Sequence, residues 1–360
     1  MEKNKGIKRV MNKNLSLSTF LPSIIWMILT LPLVGYIIFS AVNHIICENH
    51  FKNAYYYEQK KAYQLADVYY QKTEEKVPWE AYYTYQRGKN IITLASTKKQ
   101  KLEMIQTLNT AIKILNRAQK IEKKSPWIDL QLTRIYDTLF LLTQNQSYKK
   151  LTLSSIKTAY EKDPRNPIFV LNYAKQLHRT GQLDEASKYY ELAKTQDRLL
   201  LEAYYWMGQI YTAQNNWDDS IKEYTFIVDY FKSIQGKKSS EIRDLFFPNF
   251  IYTTPTLLGI ILVNQNKFQD AISVMEFHYN VLQKKVSSDT VFYLGKAYRE
   301  TKKHAKALDI YDQFITQYPN HFPIVQEKSK VLKKLNRKKE AQKLIRTFKK
   351  TYPNDYTSTP

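Results

Sequence analysis

Any chemistry in this chain would fall to six histidines, a single cysteine and 33 acidic residues. The histidines are His44, His50, His178, His278, His304 and His321, and the cysteine is Cys47. A zinc site draws several such ligands together on short spacings, and no such set is read here. No HExxH helix, GxSxG elbow, Walker loop or GxGxxG turn is found. The carboxylates read as isolated helix-surface charges or stand near helix starts, as with Asp184 and Asp218, where they favour the helix dipole. No nucleophile pairs with a base by spacing, so no catalytic, metal or cofactor residue is assigned and the chain is expected not to be an enzyme. One cysteine cannot make an internal disulfide.

What remains is binding by aromatic and basic side chains: 29 Tyr, 16 Phe and 5 Trp beside 55 Lys and Arg, for a net charge of +22. Such a charge points to nucleic acid when it is clustered. Here it is scattered over helix surfaces, with some concentration from Lys328 to Lys350, and no nucleic-acid motif accompanies it. No nucleic-acid partner is expected.

The elements that would position these side chains show in five pairs of small residues, each pair twelve positions apart. They are Ala174/Ala186, Gly208/Ser220, Gly259/Ala271, Gly295/Ala307 and Ser329/Ala341. Their second members are spaced 34, 51, 36 and 34 residues apart. A small residue on each of two successive helices lets them approach closely, and a period near 34 is that of a helix–turn–helix array. Apolar residues three and four apart supply one face per helix. Gly181, Asn215 and Asn266 fall where a first helix must end in a left-handed cap. Pro319 and Pro353, themselves 34 apart, close second helices.

These units resemble the tetratricopeptide repeat (TPR) pattern W-x2-L-G-x2-Y, A-x3-F, Pro. The clearest unit reads Val291, Leu294, Gly295, Tyr298, Ala307, Tyr311, Phe314 and Pro319. The resemblance implies an all-α, right-handed superhelical TPR-like solenoid of antiparallel helix pairs over about 47–355, clearest over 167–355. The 51-residue spacing implies an insertion at about 228–251. Upstream the units depart from the pattern. Phe140 and Thr152 stand in the small-residue positions, a longer connection is expected near Thr97–Lys101, and Ala66, Tyr70 and Pro78 suggest a second helix alone.

The run from Phe20 to Ile46 holds no Lys, Arg, Asp or Glu, and about twenty apolar residues suffice to cross a bilayer. It is read as an uncleaved transmembrane helix, too long for a signal peptide, with a kink expected at Pro32. Residues 1–19 form a short basic tail and 356–360 a C-terminal tail. Lys3, Lys5, Lys8, Arg9 and Lys13 precede the run, and the lysines after it are diluted by Glu48 and Glu58. The N-terminus is therefore expected in the cytoplasm and the repeats outside it.

In the TPR family the first helices line a concave binding face. Carried over by position, the resemblance implies a partner groove of Leu171, Lys175, His178, Arg179, Tyr205, Trp206, Gln209, Thr212, Ile260, Phe292, Lys296 and Arg299. Thr256, Val263, Lys330 and Lys333 would extend the row. The mixture suits a protein partner, an extended peptide or helical segment with acidic residues. The family's clamp for chaperone tails is unmatched at Leu171 and Pro323. The layout of one span followed by repeats, with Pro78–Gly88 and Ser125–Tyr136, also resembles the TPR tail of O-antigen ligase/polymerase-type membrane proteins, whose catalytic part is missing here. That resemblance implies at most a role in envelope polysaccharide assembly, or an accessory subunit with a catalytic partner in trans. The reverse topology would give a cytoplasm-facing adaptor.

Overall fold

The computed structural model describes residues 17–236, 249–281, 286–353 and 355, with side chains described from Trp26 onward except at Leu29. Most of the basic tail, residues 237–248 of the insertion and the C-terminal tail lie outside the described residues. Among the described residues every regular element is an α-helix, and there are sixteen. They pair two by two in sequence, as an all-α TPR-like solenoid. The chain divides after Asp163 into two compact units.

The first unit holds α1 (Leu17–Gln59), α2 (Tyr63–Lys76), α3 (Ala81–Ser96), α4 (Lys101–Ile121), α5 (Pro126–Thr143) and α6 (Gln146–Lys162). Helix α1 runs unbroken through Pro32 and past the end of the apolar run, for 43 residues. Its final turns are the missing first helix of the initial pair. Ala54 and Ala66, again twelve apart, are both fully buried, with Tyr70 packed beside them. The expected lone second helix is therefore corrected: α2 has a partner, and that partner is the continuation of the apolar helix.

The connection near Thr97–Lys101 covers residues 97–100, one residue more than the turn of 60–62 between α1 and α2, and the helices it joins are long, α3 with 16 residues and α4 with 21. At the next pair Thr152 is buried but Phe140 is not fully so, and Leu139 is the α5 residue with no exposure.

The second unit holds α7 (Pro167–Arg179), α8 (Leu183–Gln196), α9 (Leu201–Ala213), α10 (Trp217–Ser233), α11 (Asn249–Asn264), α12 (Phe268–Val281), α13 (Ser288–Glu300), α14 (His304–Gln317), α15 (Phe322–Lys334) and α16 (Lys338–Thr351). Starts are set locally. Asn166 and Ser287 accept from backbone N–H groups as N-caps, and Pro167 and Pro323 sit where a missing N–H costs nothing. The turns within pairs are left-handed at Gly181, Asn215, Asn266, Lys302 and Asn336, with φ between +59° and +83°.

All ten small residues of the five pairs are buried. Ala174, Ala186, Ala271, Ala307 and Ala341 have no exposed surface, nor has Ser220, and Ser329, Gly208, Gly259 and Gly295 are buried with them. Their burial suits packing positions inside the helix pairs. Ala186, Ala271 and Ala341 stand on the second helices, α8, α12 and α16, opposite Ala174, Gly259 and Ser329 on the first. The pair Ser329/Ala341 also approaches through a polar contact, the Ser329 hydroxyl lying 3.5 Å from the Ala341 carbonyl.

The glycines show why small residues are needed. A Cβ on Gly208 would lie 2.5 Å from the Tyr224 ring, one on Gly259 2.5 Å from Met275, and one on Gly295 inside the Tyr311 ring. Each clash is with a residue sixteen positions on, so the glycine makes room for a large side chain of the second helix. Ser220 adds a bond of its own, donating to the Gly208 carbonyl at 3.1 Å. A continuous core runs through this unit from Leu201 to Val331. Helix α10 extends to Ser233 and α11 begins at Asn249, so both edges of the expected insertion are helical, while residues 237–248 lie outside the described residues.

Candidate functional site

Successive first helices touch one another from α9 to α11, α11 to α13 and α13 to α15, so they form one face of the second unit. An aromatic ladder begins it. The Trp206 ring stands edge-on to His178 with centroids 5.5 Å apart, and to Tyr205 at 5.3 Å. Tyr205 in turn stacks on Phe250 at 5.2 Å. The rings of residues 178, 205, 206 and 250 are half-buried, packed from one side and open on the other. Burial lowers the His178 pKa, which keeps the imidazole neutral near pH 7.

Beyond the ladder, Tyr252, Thr253, Leu257 and Ile260 of α11 border a depression of about 350 Å³ with Val286, Ser287 and Asp289. His278 of α12 lies on its floor, 2% exposed, with no partner for Nδ1 among the described residues. Burial alone pushes its pKa down to about 4.

Two basic members of the expected groove, Lys175 and Arg299, are engaged within the array. Lys175 donates to Glu202 at 2.5 Å, and Trp206 Nε1 donates to the same carboxylate oxygen at 3.2 Å. Arg299, 10% exposed, pairs with Glu327 at 2.7 Å and Glu300 at 2.8 Å. Glu327 also accepts from Lys330 at 2.6 Å. The same arrangement recurs at other buried acids. Glu74 meets Arg87 and Arg117, Asp129 meets Lys162, and Glu223 meets Lys194. A buried carboxylate is tolerable only with such a partner.

Several expected groove residues are corrected. Leu171 is 4% exposed and Val263 1%, so both pack between helices and are unavailable to a partner, while Thr256, 9% exposed, bonds Thr290 at 2.7 Å and borders the depression. Thr212 spends its hydroxyl on the Gly208 carbonyl at 2.7 Å and on Ser220. His178, Tyr205, Trp206, Gln209, Ile260, Phe292 and Lys296 are half-buried, and Arg179 is exposed. Phe250, Tyr252, Glu202 and Glu327 belong to this face but do not emerge from the sequence. Phe250 and Tyr252 fall in the insertion or at its edge by spacing, and the two glutamates carry no spacing that marks them. His44, Cys47 and His50 do stand three residues apart on α1. Cys47 is fully buried against Val77 and Tyr83, however, and no metal-binding group occurs among the described residues.

Residues 289–321, which are α13, α14 and the turn that follows, match the family model of the tetratricopeptide repeat. This stretch is a tetratricopeptide repeat. No curated protein matches the chain. Among solved structures the chain is similar to YrrB, a TPR protein with an unusual peptide-binding site, at 16% identity over 55% of this chain and 93% of that one, with a TM-score of 0.44. It is similar to PilW, a widely conserved type IV pilus biogenesis factor, at 12% identity over 68% and 96%, with a TM-score of 0.47. Pseudomonas aeruginosa pilF follows at 15% identity over 67% and 96%, with a TM-score of 0.45. An array of such repeats is a scaffold for protein–protein contact, because stacking leaves a long continuous surface without a closed site.

Proposed function

We propose that the chain is a membrane-anchored scaffold that holds an extended protein segment along the first-helix face of its second unit. The observation that carries this is the aromatic ladder of residues 178, 205, 206 and 250 beside the Tyr252–Ile260 depression. Large rigid aromatics with part of their area open are the profile of interface anchors. Lys175 and Arg299 already have carboxylate partners, so specificity rests on apolar and aromatic contacts, and an acidic partner is not required. Lys296 adds positive charge at the rim, which raises association rate and salt sensitivity.

Anchoring by α1 is supported by its length and by the open side chains along it. Trp26, Leu31, Tyr36 and Phe39 are each about 60% exposed or more, an apolar surface the repeats do not cover. The N-terminal lysines support an N-in orientation with the repeats outside the cytoplasm. The polysaccharide-assembly reading rests on the layout resemblance alone and is not part of the proposal.

The test is a pull-down with the full detergent-extracted chain. Trp206→Ala and Ile260→Glu should each lose the captured partner while circular dichroism stays unchanged. Charge reversal of Lys338 and Lys339 on α16 should leave capture intact. The opposite pattern puts the site on the basic C-terminal surface and refutes the groove.

A further inference from the structure

We infer that the turn between α2 and α3 is a second membrane contact, with Trp79 and Tyr82 seated in the headgroup layer of the bilayer that α1 crosses. This rests on the reading of α1 as a span. The apolar run ends at Ile46, and the turn is pinned to the residues that follow it. Val77 and Tyr83 pack on the fully buried Cys47. Tyr83 donates to Glu48 at 2.8 Å, and Phe51 holds the rings of Tyr82 at 5.7 Å and Tyr83 at 5.2 Å. Residues 47 to 51 lie roughly 1.5–7.5 Å beyond Ile46 along the helix axis. The headgroup layer on each side of the hydrocarbon is about as thick, roughly 5–7 Å. The α2–α3 turn therefore stands at the level of that layer.

The turn is built to present its apolar side chains. Glu80 donates its N–H to the Val77 carbonyl at 3.0 Å, and its carboxylate accepts from the Tyr82 N–H at 3.3 Å. Within this closed loop Trp79 is 55% exposed and Tyr82 49% exposed, with Pro78 exposed between the buried Val77 and Trp79. Trp79 and Tyr82 thus leave apolar ring area that the repeats do not cover. At an interface Trp and Tyr are the preferred residues, with the ring in the acyl boundary and the polar edge among headgroups. A second attachment would also fix the rotation of α1 about its own axis, which a single span leaves open.

The experiment uses the full chain in vesicles of phosphatidylcholine with phosphatidylglycerol, part of the lipid carrying bromine near the top of the acyl chains. Trp79 is made the only tryptophan by Trp26→Phe, Trp127→Phe, Trp206→Phe and Trp217→Phe. Its emission should shift to the blue and lose most of its intensity to the brominated lipid. A second protein, with Trp79→Phe added and Lys99→Trp just past the far end of α3, should keep its emission, since the 16-residue helix sets that end about 24 Å away. A third, with only Trp26 retained, reports on the span. Unquenched Trp26 refutes the anchor itself. Quenched Trp26 with unquenched Trp79 overturns the inference and leaves the anchor standing. Trp79 shielded from aqueous iodide yet unquenched by lipid overturns it too, and shows the turn covered by protein.

Discussion

Gly295 offers a test of how the helix pairs are held together. A methyl group at this position would occupy the space of the Tyr311 ring, whose nearest atoms are Cζ, Cε1 and Oη. Tyr311 is fully buried and its hydroxyl reaches the Phe292 carbonyl at 3.4 Å, so the ring cannot swing away into solvent. Overpacking of this kind costs roughly 1–3 kcal/mol. Replacing glycine by alanine inside a helix returns about 1 kcal/mol. Gly295→Ala should therefore destabilise the pair by about 0–2 kcal/mol, and Gly295→Leu, which forgoes little propensity but adds three more carbons, by the upper end of the overpacking range or beyond. Tyr311→Leu removes the clashing atoms. On that background Gly295→Ala should turn stabilising by up to about 1 kcal/mol, because only the propensity gain remains. Hydrogen exchange of the peptides covering α13 and α14, in the full chain, reads the local free energy as a change in protection, and 1–2 kcal/mol is a factor of about 5–30. If alanine has the same effect in the parent and on the Tyr311→Leu background, the ring is not what the glycine accommodates and the pairing register is wrong.

Further outcomes follow from other groups. His278, ordinarily near 6.5, is held at about 4 by burial. Between those values the unfolded chain binds a proton that the folded chain refuses, so stability is full above pH 6.5 and falls as the pH drops, by about 3 kcal/mol at most. Acid titration of Tm should show this slope, and His278→Phe should flatten it. Glu327→Gln leaves the buried Arg299 with Glu300 alone and should cost roughly 1–3 kcal/mol, less than orphaning the charge outright; urea denaturation measures it. Lys302 has φ +61°, a left-handed conformation that costs an L-residue roughly 1–2 kcal/mol, so Lys302→Gly should raise Tm or leave it unchanged, and a clear drop refutes the assigned turn. Protease added outside intact cells should digest the region after residue 47, and protection until lysis reverses the topology.

The repeats of the second unit are legible because three local signals coincide there: small residues twelve apart, a glycine or asparagine turn, and a closing proline. Even Ala186, Ala271 and Ala341, on helices with little else in common, are marked by their distance from a small partner. The first unit hides its pairs for separate reasons. In α1 the apolar run and the repeat helix share one unbroken helix, so Ala54 carries no start signal before it. In α3 and α4 the helices are longer, and Gly88 meets Leu115 instead of a residue sixteen positions on. The groove is legible only as positions. Which of them face a neighbour depends on helix-to-helix contact, and that buries Leu171 and Val263 while leaving Trp206 half open. Nor could spacing show that Lys175 and Arg299 already have carboxylates from the next first helix.

Helix α1 joins the apolar run to Ala54 without a break. The segment from Cys47 to Gln59 is a stiff stalk roughly 20 Å long, continuous with the apolar run. A span tilts to match the thickness of its membrane, commonly by about 20°. Such a tilt would carry the far end of the stalk sideways by about 7 Å, and the α2 helix packed on it would travel too. On the proposed anchoring, bilayer thickness would become a mechanical input to the first repeat, with no slack in α1 to absorb it.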